Sequence, residues 1–299
     1  MIKSYLIVLF LYYTSLFSQV KEEKFSSLLL YQDTLNRLQY KIFKSKSDGE
    51  KIKTNRRFTE IFQKALDSEN SFDFNFDSLT TIARLASPDK AFKIYNWNLP
   101  KEDGTYEYFG FIQVFNPKTK KYFVYPLRDK SQDVVNPEKY TSDNNKWYGM
   151  LYYKIITRKY KNKAIYTLLA WDGNDKLSSK KIIDVLYFTD DGSPHFGDAL
   201  FEMGKRTVQR VVFEHSAEVV MSLKYDEQKK MIVFDHLAPP DAALEGQYQF
   251  YGPDMSYDGF QFKKGKWIYV KDVDAKNAKS PKDRLYNDPK SLQPENMRK

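Results

Sequence analysis

From Leu79 onward the chain is cut into short aromatic and β-branched segments separated by clusters of turn residues. This texture limits the fold more than any other feature. Residues 109–115 and 122–127, joined through Asn116-Pro117-Lys118-Thr119-Lys120, read as one hairpin. Residues 152–157 and 164–171, on either side of a Lys-rich turn, read as a second. Residues 219–225 and 231–234 flank Asp226-Glu227-Gln228-Lys229 as a third, and residues 260–262 and 267–270 flank Lys263-Lys264-Gly265-Lys266 as a fourth. Strands bounded in this way, with no regular alternation of strands and helices, predict antiparallel rather than parallel β structure. Counting Asp190-Asp191-Gly192, the turns recur at intervals close to a propeller blade. No signature repeats from one unit to the next, however. The expectation is therefore a mainly β fold, a sandwich or open twisted sheet over 79–271, with a propeller as the alternative.

No cysteine stands anywhere in the chain. Disulfides are excluded as staples, and so are thiolate metal clusters and a cysteine-linked lipid. Stability must come from an apolar core, and 23 Tyr and 22 Phe supply much of its area.

The region before the strands reads as helical. Leu28, Tyr31, Leu35, Leu38 and Ile42 fall three and four apart, and Phe58, Ile61, Phe62, Ala65 and Leu66 repeat the pattern. Ser47-Asp48-Gly49 breaks the two, with Asp48 as the cap of the second. A helical hairpin is thus expected over 21–70. Residues 129–146 are polar and read as a surface loop, and 272–299 as a polar tail.

At the start, Met1-Ile2-Lys3 is followed by thirteen uncharged residues from Tyr5 to Phe17, and then by Ser18-Gln19 and a charged run. A basic start, a short apolar stretch and a small residue match a signal peptide over 1–18, with an uncleaved anchor as the alternative. The stretch is short for a membrane span. The expected location is outside the cytoplasm, in the periplasm or secreted.

The net charge is +9, a balance that draws anions. Export argues against nucleic acid as the partner and leaves envelope components. Eight of the bases fall on the helices: Arg37, Lys41, Lys44, Lys46, Lys51, Lys53, Arg56 and Arg57, against Asp48 and Glu50. They read either as a solvated outer face or as a contact for anionic lipid or polysaccharide.

Motifs that would name a chemistry are missing. There is no P-loop, no dinucleotide glycine fingerprint, no His-Glu-x-x-His and no Gly-x-Ser-x-Gly. Trp171-Asp172-Gly173-Asn174-Asp175 begins like a calcium loop, but Lys176 follows and no Glu closes it, so it reads as a tight turn. His195 follows a hairpin turn whose Asp190 and Asp191 offer a cation site as the alternative. His215 reads as structural. His236, beside Asp235 at a strand end, reads as a loop anchor or a proton-transfer group.

The most unusual stretch is 235–262. It carries Asp235, Asp241, Glu245, Asp254 and Asp258 without one Lys or Arg, among Tyr248, Phe250, Tyr251, Tyr257, Phe260 and Phe262. Either the aromatics alternate into a core while the acids face water, or the stretch is a ligand surface for a sugar ring or a calcium ion. Its ligand candidates are Asp235, His236, Glu245, Tyr251, Asp254, Tyr257 and Asp258.

The run Leu244-Glu245-Gly246-Gln247-Tyr248-Gln249-Phe250-Tyr251-Gly252-Pro253-Asp254 resembles segments of uncharacterised exported proteins of Bacteroidetes. So do Tyr95-Asn96-Trp97-Asn98, Trp171-Asp172-Gly173-Asn174-Asp175 and the leader ending Phe17-Ser18-Gln19. The resemblance implies export and a shared β fold, and assigns no catalytic residue. Together these readings predict an exported module that binds or builds an envelope component or glycan. The alternative is a hydrolase of an envelope polymer or extracellular glycan, built on carboxylates. A third possibility, an envelope adaptor, requires an exposed apolar patch on the helices.

Overall fold

The structure is a computed structural model that describes residues 24–116 and 119–274. The expected signal peptide over 1–18, and the part of the expected tail beyond 274, lie outside the described residues.

Helix α1 runs through residues 24–44 and α2 spans Asp48–Asp67. The break falls at residues 45–47, one to two residues before the position expected from sequence. Asp48 does not cap α2, whose N-cap Ser47 makes no side-chain cap bond. Its carboxylate instead accepts the Glu102 N–H at 3.0 Å, while Glu102 Oε1 accepts the Asp48 N–H at 3.1 Å. A reciprocal pair of this kind fixes the start of α2 to the β domain.

Sixteen strands follow among the described residues. β1 (Ala83–Ala86), β2 (Phe92–Pro100), β3 (Tyr106–Asn116) and β4 (Lys121–Arg128) form one antiparallel meander. β5 (Ser142–Asp143), β6 (Leu151–Tyr160), β7 (Lys163–Asp172), β8 (Ser178–Phe188) and β9 (Pro194–Phe196) form a second sheet, in the order β5-β9-β8-β7-β6. β10 (Phe201–Met203), β11 (Arg206–Val208), β13 (Leu223–Asp226), β14 (Met231–Ala238), β15 (Gly252–Lys263) and β16 (Lys266–Val270) form the third. β12 (Val211–Ser216) pairs with the first half of β8, on the edge that β9 uses further along. All pairings between these strands are antiparallel except β10 with β16; an isolated bridge, Asp129 with Trp147, is also parallel. The four hairpins read from sequence are present as β3-β4, β6-β7, β13-β14 and β15-β16.

Three clusters of buried side chains show how these sheets stack. The first joins Phe92, Ile94, Tyr108 and Ile112 of the β1–β4 sheet to Tyr152, Leu168, Ile182 and Leu186 of the second sheet. Leu169, Ile183 and Val185, on the opposite face of that second sheet, pack on Phe201, Ile232, Phe234, Phe260 and Trp267 of the third. A last cluster seats Leu28, Leu35, Phe58, Phe62 and Leu66 of the helices on Tyr95, Trp97 and Phe111. The order is therefore helices, β1–β4 sheet, central sheet, outer sheet. These are layers rather than blades around an axis, so the propeller alternative is replaced by stacked antiparallel sheets. The central sheet is covered on both faces, and its inner strands are accordingly buried at successive positions: all of 166–170 and all of 182–186 are buried, mostly apolar side chains with Thr167 and Asp184 among them.

Polar groups lock the layers together. The Trp267 indole N–H donates to Thr167 Oγ1 at 2.8 Å between the outer and central sheets. Trp97 Nε1 donates to Asn55 Oδ1 at 2.8 Å, tying the first sheet to α2. Residues 129–146, expected as a surface loop, do more than that. Their Pro137 and Tyr140 carbonyls accept the guanidinium of Arg210, which is fully buried and reaches Asp184 at 3.0 Å.

Candidate functional site

The stretch singled out in the sequence forms the end of the outer sheet. In β14, alternation turns Ile232 and Phe234 into the core between the sheets, and His236 follows two residues on in the same row. Register places Phe234 opposite Asp258, and Ile232 opposite Phe260, which in turn lies opposite Tyr269. One face of the sheet thus passes from apolar core to a polar group at its rim.

That group is compact. His236 Nδ1 lies 2.7 Å from Asp258 Oδ2, and the Tyr269 hydroxyl donates to the same oxygen at 2.5 Å. The backbone N–H of Asp272 donates to Asp258 Oδ1 at 3.1 Å. Asp258 is only 2% exposed. Burial alone pushes its carboxyl up, but the hydrogen bonds from Tyr269, His236 and the Asp272 N–H outweigh that and hold it below the usual carboxylate range. Burial, and then the bond to Asp258, pushes the Tyr269 hydroxyl up. The Asp258 carboxylate fixes the tautomer of His236 with Nδ1–H toward itself. Nε2 makes no hydrogen bond among the described residues, and the imidazole is more than a third exposed.

Opposite His236 the ladder is irregular. Between the pairs Asp235–Tyr257 and Leu237–Pro253, β14 has one residue and β15 has three. The extra residues form a bulge that carries Met255 at φ +72°, its side chain almost wholly in solvent. A left-handed conformation at a non-glycine residue costs energy, and bulges concentrate where a sheet re-aims side chains. Asp254, on the same bulge, accepts the Ser256 hydroxyl at 2.7 Å and its N–H at 2.9 Å. Those bonds hold its carboxyl below the usual range.

The seven candidates therefore separate. His236 and Asp258 meet directly. Asp235 accepts the Ser222 N–H at 2.7 Å and braces the chain before β13. Glu245 is exposed in the loop between β14 and β15. The Tyr251 hydroxyl accepts the Gly246 N–H at 3.0 Å, and its ring lies 5.2 Å from that of Tyr248. Tyr257 is 37% exposed, and Tyr248 and Phe250, earlier in the same stretch, are 47% and 45% exposed. Neither Asp235 nor Asp254 joins the His236–Asp258 pair by a hydrogen bond. Tyr269 is the residue that sequence reading missed. The signal was the β15-β16 turn, whose register sets Tyr269 opposite Phe260, next but one to Asp258.

No three His, Asp or Glu side chains are grouped to hold a metal ion among the described residues. The Trp171 turn is a turn: Asp172 accepts the Tyr108 hydroxyl at 2.7 Å and the Asn174 N–H at 2.9 Å. Asp191 is likewise occupied by Thr189 and Ser193 at the head of its hairpin. His215 is buried, with Nδ1 2.8 Å from the Ser216 carbonyl and Nε2 unpartnered. A cleft of about 550 Å³ lies elsewhere, against β3, β4 and residues 129–133.

Comparison with known protein families, with curated proteins and with solved structures finds no match to this chain.

Proposed function

We propose that this chain is an exported module of the cell envelope that binds an envelope component or glycan through the outer-sheet rim, without catalysing a reaction. One observation carries the reading. Tyr248, Phe250 and Tyr257 stay exposed, although a core with room for Phe234 and Phe260 lies directly beneath the sheet. Exposed rings on the same stretch of chain as the exposed acids Glu245 and Asp254 offer a sugar apolar faces for its C–H side and acceptors for its hydroxyls. The basic and then apolar start of the chain supports export, as does its resemblance to exported proteins. The test is a pull-down with the intact chain from envelope extract. Recovery of a glycan or envelope component that is lost in a Tyr248→Ala/Phe250→Ala variant supports the reading; recovery of nothing counts against it.

The His236–Asp258 pair favours a second reading, hydrolysis of an envelope polymer, with His236 Nε2 taking a proton from water. Its test is release of reducing ends from envelope polymer. Release abolished by His236→Ala selects the hydrolase; equal release by the variant removes it.

A further inference from the structure

The helical layer carries a second surface, independent of the outer-sheet rim. Around α1 three sectors follow one another. Leu28, Leu35 and Gln39 face the core. Next come Phe43 at 74% exposure and Tyr40 at 63%. Beyond these stand Lys44, Arg37 and Lys41, which share a face. The aromatic pair thus borders both core and charge, and both side chains stand mostly in solvent.

Two grooves flank this helix. The one between α1 and α2, about 290 Å³, is lined by Lys41, Lys53 and Arg57 with Leu38, Thr54 and a single acid, Glu50. The other, about 410 Å³, opens beside Ile42 and Phe43 onto Phe58, Ile82, Trp97 and Pro100, and is largely apolar. The bases are available. The side chains of Arg37, Lys41, Lys46, Lys53 and Arg56 make no ion pair or hydrogen bond among the described residues. Arg57 has only an exposed contact with Glu60 at 3.7 Å. Lys44 sits 5.6 Å from the Tyr40 ring. Unpaired bases alone suit a solvated face as well; the protruding Tyr40 and Phe43 beside them are what such a face does not need.

We infer that the α1–α2 face docks on a lipid bilayer bearing anionic headgroups. Headgroup phosphates sit in the groove of Lys41, Lys53 and Arg57, and Tyr40 and Phe43 enter the interfacial zone. Helices that lie on a membrane combine bases with apolar side chains that enter the interface; the main apolar stripe of α1 is packed on the sheet, so Tyr40 and Phe43 are the side chains that supply this contact. No helix among the described residues is long and apolar enough to cross one, so contact through this face is peripheral. Two different forces then contribute, and they are separable by experiment.

The test is co-sedimentation of the full chain with vesicles of phosphatidylcholine alone or mixed with phosphatidylglycerol. Expected is binding to the mixed vesicles only, weakened by salt as charges on the surface are screened. Lys41→Gln/Lys53→Gln loses affinity by about fivefold per neutralised base. Tyr40→Ser/Phe43→Ser also loses affinity, with its charge unchanged. Using one full chain throughout makes any contribution of the apolar start common to all variants, and an unchanged melting curve certifies the fold of each. Binding equal on neutral vesicles, no binding at all, or binding indifferent to either double variant overturns the inference. Tyr248→Ala/Phe250→Ala retains vesicle binding, which keeps this result separate from that of the rim.

Discussion

At the scale of single residues, the strongest constraint is the buried pair Arg210–Asp184. Both side chains are fully excluded from water. Arg210 satisfies Asp184 together with two loop carbonyls, and its guanidinium also lies over the Tyr148 ring at 5.2 Å. Replacing Arg210 by Met leaves a buried carboxylate without its cation, and the expected loss is about 3–5 kcal/mol, read from urea unfolding. Adding Asp184→Leu recovers much of it, because the desolvation of both charges disappears together. His215 gives a pH signature. Burial lowers its pKa below the ordinary histidine value, so the unfolded chain binds the proton more readily. Stability is then full above the unfolded value near 6.5 and falls as pH drops through it toward the lowered folded value. The wild type should lose urea midpoint between neutral and mildly acid pH more steeply than His215→Gln. Equal slopes would remove this assignment.

Elements differ in how far they could be read in advance. Both helices and the four hairpins were legible because their signals are local: apolar residues three and four apart, and turn residues at fixed places between aromatic runs. The helix break was misplaced because Asp48, a good cap by type, is drawn instead to the Glu102 N–H, 54 residues away. The stacking order could not be read, since nothing local says which sheet covers which. Only the largely apolar runs at 166–170 and 182–186, each interrupted once, by Thr167 and by Asp184, hint at a sheet buried on both sides. The site was half legible. The acidic, aromatic stretch identified itself by composition, and His236 by its strand-end position. The pairing of His236 with Asp258 depends on the ladder register and the bulge, and Tyr269 lies on another strand. The seating of the helices also gives a prediction. Phe62 is fully buried, with its ring 5.3–5.7 Å from those of Phe58, Phe76, Tyr95 and Phe111. Phe62→Ala should cost about 3–5 kcal/mol and raise amide exchange first in α1 and α2. A loss spread evenly over the outer sheet would contradict that layering.

For the whole molecule, the layers separate the two faces proposed above for binding. Stacked sheets lie about 10 Å apart, so the helical face and the outer sheet are on opposite sides of a slab of three sheets. A chain held by its helices on an anionic bilayer would present the rim with Tyr248, Phe250 and Tyr257 away from it. Without disulfides, that separation rests on packed side chains and a few buried polar links such as Trp267–Thr167 and Arg210–Asp184. The most direct measurement is calorimetric titration of solubilised envelope glycan fragments into the intact protein and into Tyr248→Ala/Phe250→Ala/Tyr257→Ala. The expected result is saturable binding that weakens by about tenfold or more in the variant, as loss of central aromatic anchors does, with the melting curve unchanged. Absence of binding to the intact protein, or equal binding by a folded variant, would contradict a ligand surface at the outer-sheet rim.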